Sequence, residues 1–201
     1  MGILKFYLSI FMLCASTTFA RPVSYSDSFT FMSSSNDMKE SLYIHYSPSF
    51  RHSIGVEILK DKMFDTSYGL VRYTHLLFRK NTSKSQTNFY LNSGLGLNKI
   101  ANFSYGIQGD WETRKYFFGF NHNRNTYLGS KFYDQYFTFG IVPYVGKYGD
   151  LHTWIMLKSK KNSQMRETHT YPIIKFFKGN SLLEIGFDNR EILDLFFVQR
   201  F

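Results

Sequence analysis

A strict two-residue alternation between apolar and polar side chains constrains this sequence more than any other feature. The clearest example is Gln86–Asn98, QTNFYLNSGLGLN, in which Phe89, Leu91 and Leu95 share one parity, and asparagines, a tyrosine and glycines hold the other. Successive side chains of a β-strand point to opposite faces, so this stretch predicts a strand with one apolar and one polar face. The alternation runs over about 11 residues, and a tilted strand needs ~9–11 to cross a bilayer.

The same alternation recurs along the chain and predicts twelve strands and no helix. The predicted strands are Ser28–Met32, Lys39–Tyr46, Arg51–Leu59, Gly69–Arg79, Gln86–Asn98, Ser104–Trp111, Lys115–Asn123, Tyr133–Tyr144, Leu151–Lys160, His169–Phe177, Ser181–Asp188 and Glu191–Phe201. The first and fourth are the least regular, which leaves ten strands as the smaller alternative. The pattern predicts an all-β chain, a single antiparallel up-and-down transmembrane β-barrel.

The connections between the predicted strands alternate in length. Those after even-numbered strands are mostly tight, as at Ser47–Phe50 and Gly146–Asp150, whereas Lys60–Tyr68 and Arg124–Lys131 are longer. Short turns at one end and longer loops at the other are typical of bacterial membrane barrels.

The first twenty residues, Met1–Ala20, predict a secretory signal peptide that is cleaved on export. Lys5 precedes the apolar run Phe6–Ala15, which is too short for a membrane helix, and small residues precede the expected cleavage site at Ala20. The predicted organisation is residues 1–20 as signal peptide and 21–201 as one barrel domain. Because the single cysteine, Cys14, lies in the signal, the exported chain has neither a disulfide nor a thiol nucleophile.

The formal net charge of +9 at pH 7 raises the question of an anionic partner. The basic residues gather at turns and loops, as at Arg79-Lys80 and Lys158–Lys161, and no basic helix is evident. Nucleic acid is therefore not an expected partner of an exported chain, whereas anionic lipid headgroups are.

The polar face of the predicted strands is assigned to the lumen, and the apolar face to lipid. Glycines such as Gly55, Gly94 and Gly186 recur on the polar face, where they make room for large neighbours, and Trp111 and Tyr116 flank a turn as an interfacial girdle would. The lumen-facing candidates are Tyr43, His45, Glu57, Arg72, Tyr90, Asn92, Gln108, Asp110, Glu112, Asn121, His152, Trp154, Lys158, Lys175, Glu184, Asp194 and Arg200.

The last predicted strand carries Leu193, Leu195, Phe197 and Phe201 on one face, with Gln199 as its polar member. An apolar final strand that ends on phenylalanine resembles the C-terminal signature of bacterial outer-membrane β-barrels. That resemblance implies a Gram-negative outer membrane as the location, with membrane lipid as the surroundings. It also implies that the barrel-assembly machinery recognises Phe201 as its assembly signal.

Four further stretches carry a narrower resemblance. SLYIHYSPS at Ser41–Ser49, QTNFYLNSGLGL at Gln86–Leu97, YGDLHTWIML at Tyr148–Leu157 and FKG at Phe177–Gly179 are similar to a small proteobacterial outer-membrane family. Its members are often encoded among copper and other heavy-metal tolerance genes. The resemblance implies a setting in metal stress and no mechanism.

The favoured function is a narrow passive pore or an envelope protein linked to metal stress, and not an enzyme. Twelve strands lie between barrels filled by side chains and open channels, so a lumen plugged by paired charges and a small polar pore both remain open. Small solutes or metal ions are the candidate ligands, and no cofactor is expected. The candidate metal-binding side chains are His45, His152, Met156, Met165 and His169, without an assigned site.

Two alternatives belong to other classes of protein. His45-Tyr46-Ser47 resembles the His-x-Ser of outer-membrane lipid deacylases, although Pro48 stands where those enzymes have asparagine. The other alternative is a soluble secreted β-barrel that binds an apolar ligand inside.

Overall fold

The structure is a computed structural model that describes residues 22–63, 65–97, 102–127, 129–146, 149–165, 167–188 and 193–201. The strands are β1 Ser28–Ser35, β2 Lys39–Ser49, β3 His52–Asp61, β4 Thr66–Asn81, β5 Ser85–Gly96, β6 Phe103–Thr113, β7 Tyr116–Tyr127, β8 Ser130–Ile141, β9 His152–Asn162, β10 His169–Lys178, β11 Ser181–Phe187 and β12 Leu193–Arg200. The described residues contain no helix with the length and apolar character needed to span a membrane. The predicted signal peptide, Met1–Ala20, lies outside the described residues.

Each strand pairs antiparallel with the next, and β12 pairs with β1 to close the ring. At this seam Thr30 lies opposite Arg200, and the Phe201 N–H donates a 2.9 Å hydrogen bond to the Phe29 carbonyl. Closure pairs both edges of the sheet, so no strand of the ring is left as an open edge. The prediction of an all-β, antiparallel, twelve-stranded up-and-down barrel is confirmed.

The predicted turn at Ser47–Phe50 is wrong in its position. Ser47, Pro48 and Ser49 belong to β2, and the pairing with β3 shifts its register between Tyr46 and Ser49. Pro48 lies within that irregularity, where the ladder does not require the N–H that proline lacks.

The predicted difference in loop length holds at most connections, since those after even-numbered strands are mostly two or three residues and those after odd-numbered strands are mostly longer, but it is wrong at two of them. β7 continues to Tyr127 and β8 begins at Ser130, so the expected long loop Arg124–Lys131 is a tight turn around Gly129 at φ 84°. The expected tight turn at Gly146–Asp150 belongs instead to a long connection from β8 to β9. Strand propensity therefore extends through polar residues that the sequence pattern assigns to loops.

Apolar side chains cover the outside of the barrel. Ile44, Ile58 and Leu95 point outward and remain more than half exposed, whereas the inward Tyr90 and Ile173 are almost completely buried. The two faces of the wall therefore differ as the alternation predicts, with the exposed apolar side chains outside.

The inner face is not uniformly polar. Leu59 and Leu70 from β3 and β4 pack against Tyr127 and Phe132 from β7 and β8, together with Tyr68. These strand pairs are separated by β5 and β6 in the ring, so the contacts run across the lumen. A barrel this narrow brings opposite walls together, and apolar inward side chains then contribute burial as they do in a soluble core.

The barrel lumen as candidate functional site

The structure places every predicted lumen residue on the inner face of the wall. Their cross-strand partners share that face around the ring, as in the row Tyr43, Glu57 and Leu70, because paired residues of neighbouring strands point to the same side. Asp110 and Glu112 follow the same parity on β6. These positions make the lumen the natural candidate for a functional site.

Arg72 on β4 forms the first charged centre of the lumen. Its guanidinium lies 3.0 Å from the Glu57 carboxylate on β3 and 4.5 Å from the centre of the Tyr43 ring. The Ser41 hydroxyl donates a further hydrogen bond to Glu57. The pair is well hydrogen-bonded, which a charge pair removed from water requires.

Two glycines flank Arg72 on the neighbouring strands. Gly55 and Gly94 are its cross-strand partners on either side. A Cβ added at Gly94 would lie 3.6 Å from the Arg72 side chain and 2.6 Å from the Ser104 hydroxyl. A Cβ at Gly55 would lie 2.1 Å from the Ile44 carbonyl oxygen, which is too close for any side chain.

Asp194 on β12 forms a second charged centre. The Lys158 ammonium on β9 lies 2.8 Å from its carboxylate, and the Tyr171 hydroxyl on β10 donates a 2.5 Å hydrogen bond to the same oxygen. Lys158 also lies 4.8 Å from the centre of the Tyr136 ring. Because β9 and β12 are not neighbours in the ring, this pair crosses the lumen.

A third pair closes part of the end at which β1 turns into β2. Lys160 on β9 lies 2.7 Å from the carboxylate of Asp37, which belongs to the connection between β1 and β2. His169 faces Asp188 at 3.7 Å beside this pair. The β1–β2 turn is thus held over the lumen by a contact from the opposite wall.

Two further groups extend the polar network. Lys175 lies 3.4 Å from Glu184 and 4.8 Å from the centre of the Phe117 ring. Near the other end, polar side chains of β4, β5 and β6 form a chain along the wall: Arg79 donates to the Asn88 side-chain oxygen at 2.8 Å, and the Asn88 amide donates to Asp110 at 2.7 Å.

The packed side chains leave little of the lumen open to water. Tyr90 at 0%, His45 at 1% and Trp154 at 5% exposure come from three different parts of the ring. A channel filled with water would leave such inward side chains accessible. The described lumen is therefore filled by its own aromatic and ion-paired side chains.

The chain before β1 adds a plug that the sequence pattern did not predict. Pro22–Ser24 enters the barrel at the end that holds both described termini, and Val23 is buried against Leu76 and Tyr90. The Ser24 N–H donates to the Ser47 hydroxyl at 3.1 Å, and the Ser53 hydroxyl donates to the Pro22 carbonyl at 2.9 Å. The only sequence signal is Val23 within an otherwise polar lead.

The lipid-deacylase alternative finds no support in the geometry. His45 and Ser47 lie on the inner face with 1% and 0% exposure, so a lipid outside the barrel does not reach them. The Ser47 hydroxyl accepts the hydrogen bond from Ser24, and among the described residues neither ring nitrogen of His45 has a hydrogen-bond partner.

The predicted metal-ligating side chains do not converge. His152 lies beside the Phe177 ring, and His169 faces Asp188. Met156 packs with Trp154 in an apolar cluster. Within the described ranges, no three side chains of the His, Cys, Asp and Glu types come together as possible ligands of one ion.

Fold and site together define a closed antiparallel barrel with an apolar outside and an interior filled by ion-paired, aromatic and some aliphatic side chains. Among solved structures, the fold is similar to a KdgM porin in complex with disordered oligogalacturonate, with a TM-score of 0.50 and 14% identity. The match covers 87% of this chain and 98% of that one. A second KdgM porin structure gives a TM-score of 0.49 at the same identity and coverage. No family model and no curated protein matches the sequence.

Proposed function

We propose that this chain is an integral protein of the bacterial outer membrane, exported through the signal peptide Met1–Ala20. The exposed apolar side chains outside the barrel carry the proposal, because a soluble protein rarely exposes so much contiguous apolar surface. Trp111 and Tyr116 are exposed aromatic residues on either side of the turn between β6 and β7, as expected for an aromatic girdle at the membrane interface. The inner face is ion-paired and aromatic, which argues against a soluble barrel that holds an apolar ligand.

The strand lengths agree with a membrane span. The 12 residues of β5 extend about 40 Å at ~3.4 Å each, or about 30 Å along the barrel axis at a tilt of ~40°. That is enough for the ~25 Å apolar band of an outer-membrane barrel.

Within that membrane we propose a narrow pore for water and small ions, closed at rest by the side chains of the lumen. Four basic side chains of the lumen each lie within 4 Å of a carboxylate: Arg72, Lys158, Lys160 and Lys175. Because these cations are already paired, they are not available to bind a large anionic solute. An anionic oligosaccharide, such as the oligogalacturonate in complex with one structural neighbour, is therefore not the expected solute here. The link to heavy-metal tolerance has no support in the comparisons and stays a prediction from the sequence resemblance.

Planar-bilayer recordings of the refolded exported chain test the pore. We expect a small unitary conductance that rises several-fold in Tyr90→Ala, because Tyr90 is fully buried beside Val23 in the lumen. Tyr105→Ala is the matched control, since Tyr105 is 48% exposed on the outer wall and its loss leaves the lumen unchanged. Insulating membranes with both wild type and Tyr90→Ala would reject the pore and leave a plugged barrel.

Cell fractionation tests the location independently. The protein is expected in the outer-membrane fraction, with the slower mobility after boiling that folded barrels show on gels. Recovery of the folded protein from the soluble periplasm would refute the membrane proposal whatever the conductance.

A further inference from the structure

We propose that the outer wall of the barrel carries a binding site for a first-row divalent metal ion, formed by His52, Tyr73 and His75. His52 opens β3, and His75 is its direct cross-strand partner on β4. Tyr73 lies two residues before His75 and therefore on the same outward face. None of the three residues belongs to the lumen, so the proposal does not depend on the pore.

The three side chains already meet through their polar atoms. The Nδ1 atoms of His52 and His75 lie 3.1 Å apart, and the Tyr73 hydroxyl lies 2.6 Å from the same Nδ1 of His52. The two imidazole rings have centroids 4.6 Å apart, and the Tyr73 ring stacks with His52 at 5.9 Å. Two donor atoms on β4 thus converge on a third on β3.

Hydrogen bonding alone does not satisfy this arrangement. Nδ1 of a neutral imidazole carries either one lone pair or one hydrogen, so on His52 it serves one partner well. Here the His75 nitrogen and the Tyr73 oxygen both lie within hydrogen-bond distance of it. A metal ion between the rings would accept a lone pair from each nitrogen and from the oxygen. The His75 nitrogen and the Tyr73 oxygen would then no longer compete for a hydrogen bond with Nδ1 of His52.

The donor set indicates which ions fit. Two imidazole nitrogens and one phenol oxygen suit Cu²⁺, Zn²⁺ and Ni²⁺, among which Cu²⁺ binds most tightly in the general order of affinities. With metal–nitrogen bonds of ~2.0–2.1 Å, nitrogens 3.1 Å apart give an N–metal–N angle of about 100°, which both square-planar and tetrahedral sites accommodate. Water would complete the coordination.

The position on the wall leaves the site reachable. On the outer face of β3, His52 precedes Ile54, Val56 and Ile58, so on this strand it ends the apolar run next to the β2–β3 turn, whereas Leu77 and Phe78 continue the apolar surface beyond His75 on β4. The neighbouring cation, Arg51, is placed over the Phe50 ring with its guanidinium 5.4 Å from the ring centre. An ion can therefore approach the site from the β3 side, next to the β2–β3 turn.

Copper titration of the refolded, untagged exported chain in detergent micelles tests the site. We expect one tightly bound Cu²⁺ per chain by calorimetry, with coordination by two nitrogens in the electron paramagnetic resonance spectrum. His52→Gln and His75→Gln should each weaken binding at least tenfold. Tyr73→Phe should keep the nitrogen signature and lose any phenolate-to-copper absorption band.

His122→Gln is the matched control, because His122 also lies on the outer wall beside a tyrosine, with its ring 5.7 Å from Tyr133. Its affinity for Cu²⁺ should equal that of wild type. The proposal is overturned if both His52→Gln and His75→Gln bind Cu²⁺ as wild type does, or if His122→Gln weakens binding as much as they do. Heat-modifiable gel mobility shows that each variant has folded, and if only one histidine variant folds, wild-type affinity in that variant overturns the proposal.

Discussion

Val56→Arg tests directly whether the apolar outer wall faces hydrocarbon. Val56 is the central residue of the outward run Ile54, Val56 and Ile58 on β3, and it is 47% exposed. His52 and Lys60 bracket this run on the same face of the strand. The native valine makes its outward contacts with the surroundings of the barrel, so the substitution changes the interaction with those surroundings more than it changes internal packing.

The expected cost follows from the depth of Val56. Each bracketing residue is four positions away, which is about 13 Å along the strand and about 10 Å in depth at a tilt of ~40°. The band between His52 and Lys60 is thus about 20 Å deep, close to the ~25 Å of outer-membrane barrels, with Val56 near its centre. An arginine there should reduce the free energy of unfolding by about 2–4 kcal/mol.

Ser67→Arg is the control for this prediction. Ser67 lies on β4 directly opposite Lys60, at the polar edge of the same wall, where an arginine should cost about 0–1 kcal/mol. Reversible guanidinium titrations in lipid vesicles, followed by fluorescence of Trp111 on the outer wall and Trp154 in the lumen, give both free energies. If the two variants lose equal stability, the outer wall does not face hydrocarbon and the membrane proposal fails.

The lumen gives three further predictions. Glu57→Gln should reduce the free energy of unfolding by about 2–3 kcal/mol in the same titration, below the ~3–5 for a fully buried pair because the Arg72 side chain keeps 27% exposure. The double variant with Arg72→Met should lose less than the sum of the single variants, and strict additivity would show that the two charges do not interact. Gly55→Ala should lower the yield of heat-modifiable folded barrel, because its Cβ meets the Ile44 carbonyl at 2.1 Å; an unchanged yield would contradict this. Val23→Asp should raise the unitary conductance by expelling the plug from the lumen, and an unchanged conductance would show that Val23 does not narrow it.

The sequence predicted the barrel well because its alternation is a local property. The parity that separates Leu91 from Tyr90 is set by the strand itself, so every predicted lumen residue could be assigned a face before any strand pairing was known. The same argument gave the number of strands. It failed at Arg124–Lys131, where polar residues continue a strand pair instead of forming a loop.

The contacts inside the barrel were beyond the reach of that reasoning. Lys158 meets Asp194 because ring closure and strand tilt bring β9 opposite β12, and neither is encoded in a run of neighbouring residues. The plug at Val23 was missed for the same reason, since its partners Leu76 and Tyr90 lie far along the chain. The His52–His75 pair needs the register between β3 and β4, which the turn length alone did not determine.

The hydrogen bond between Phe201 and Phe29 has a consequence for the order of assembly. Every other strand pairs with its neighbour in sequence and can form a hairpin as soon as both strands are available. The seam instead joins segments more than a hundred residues apart, so the loop that it closes carries the largest entropic cost in the molecule. We therefore expect the ring to remain an open sheet until β12 pairs with β1. A chaperone that holds the final strand would control the moment of closure.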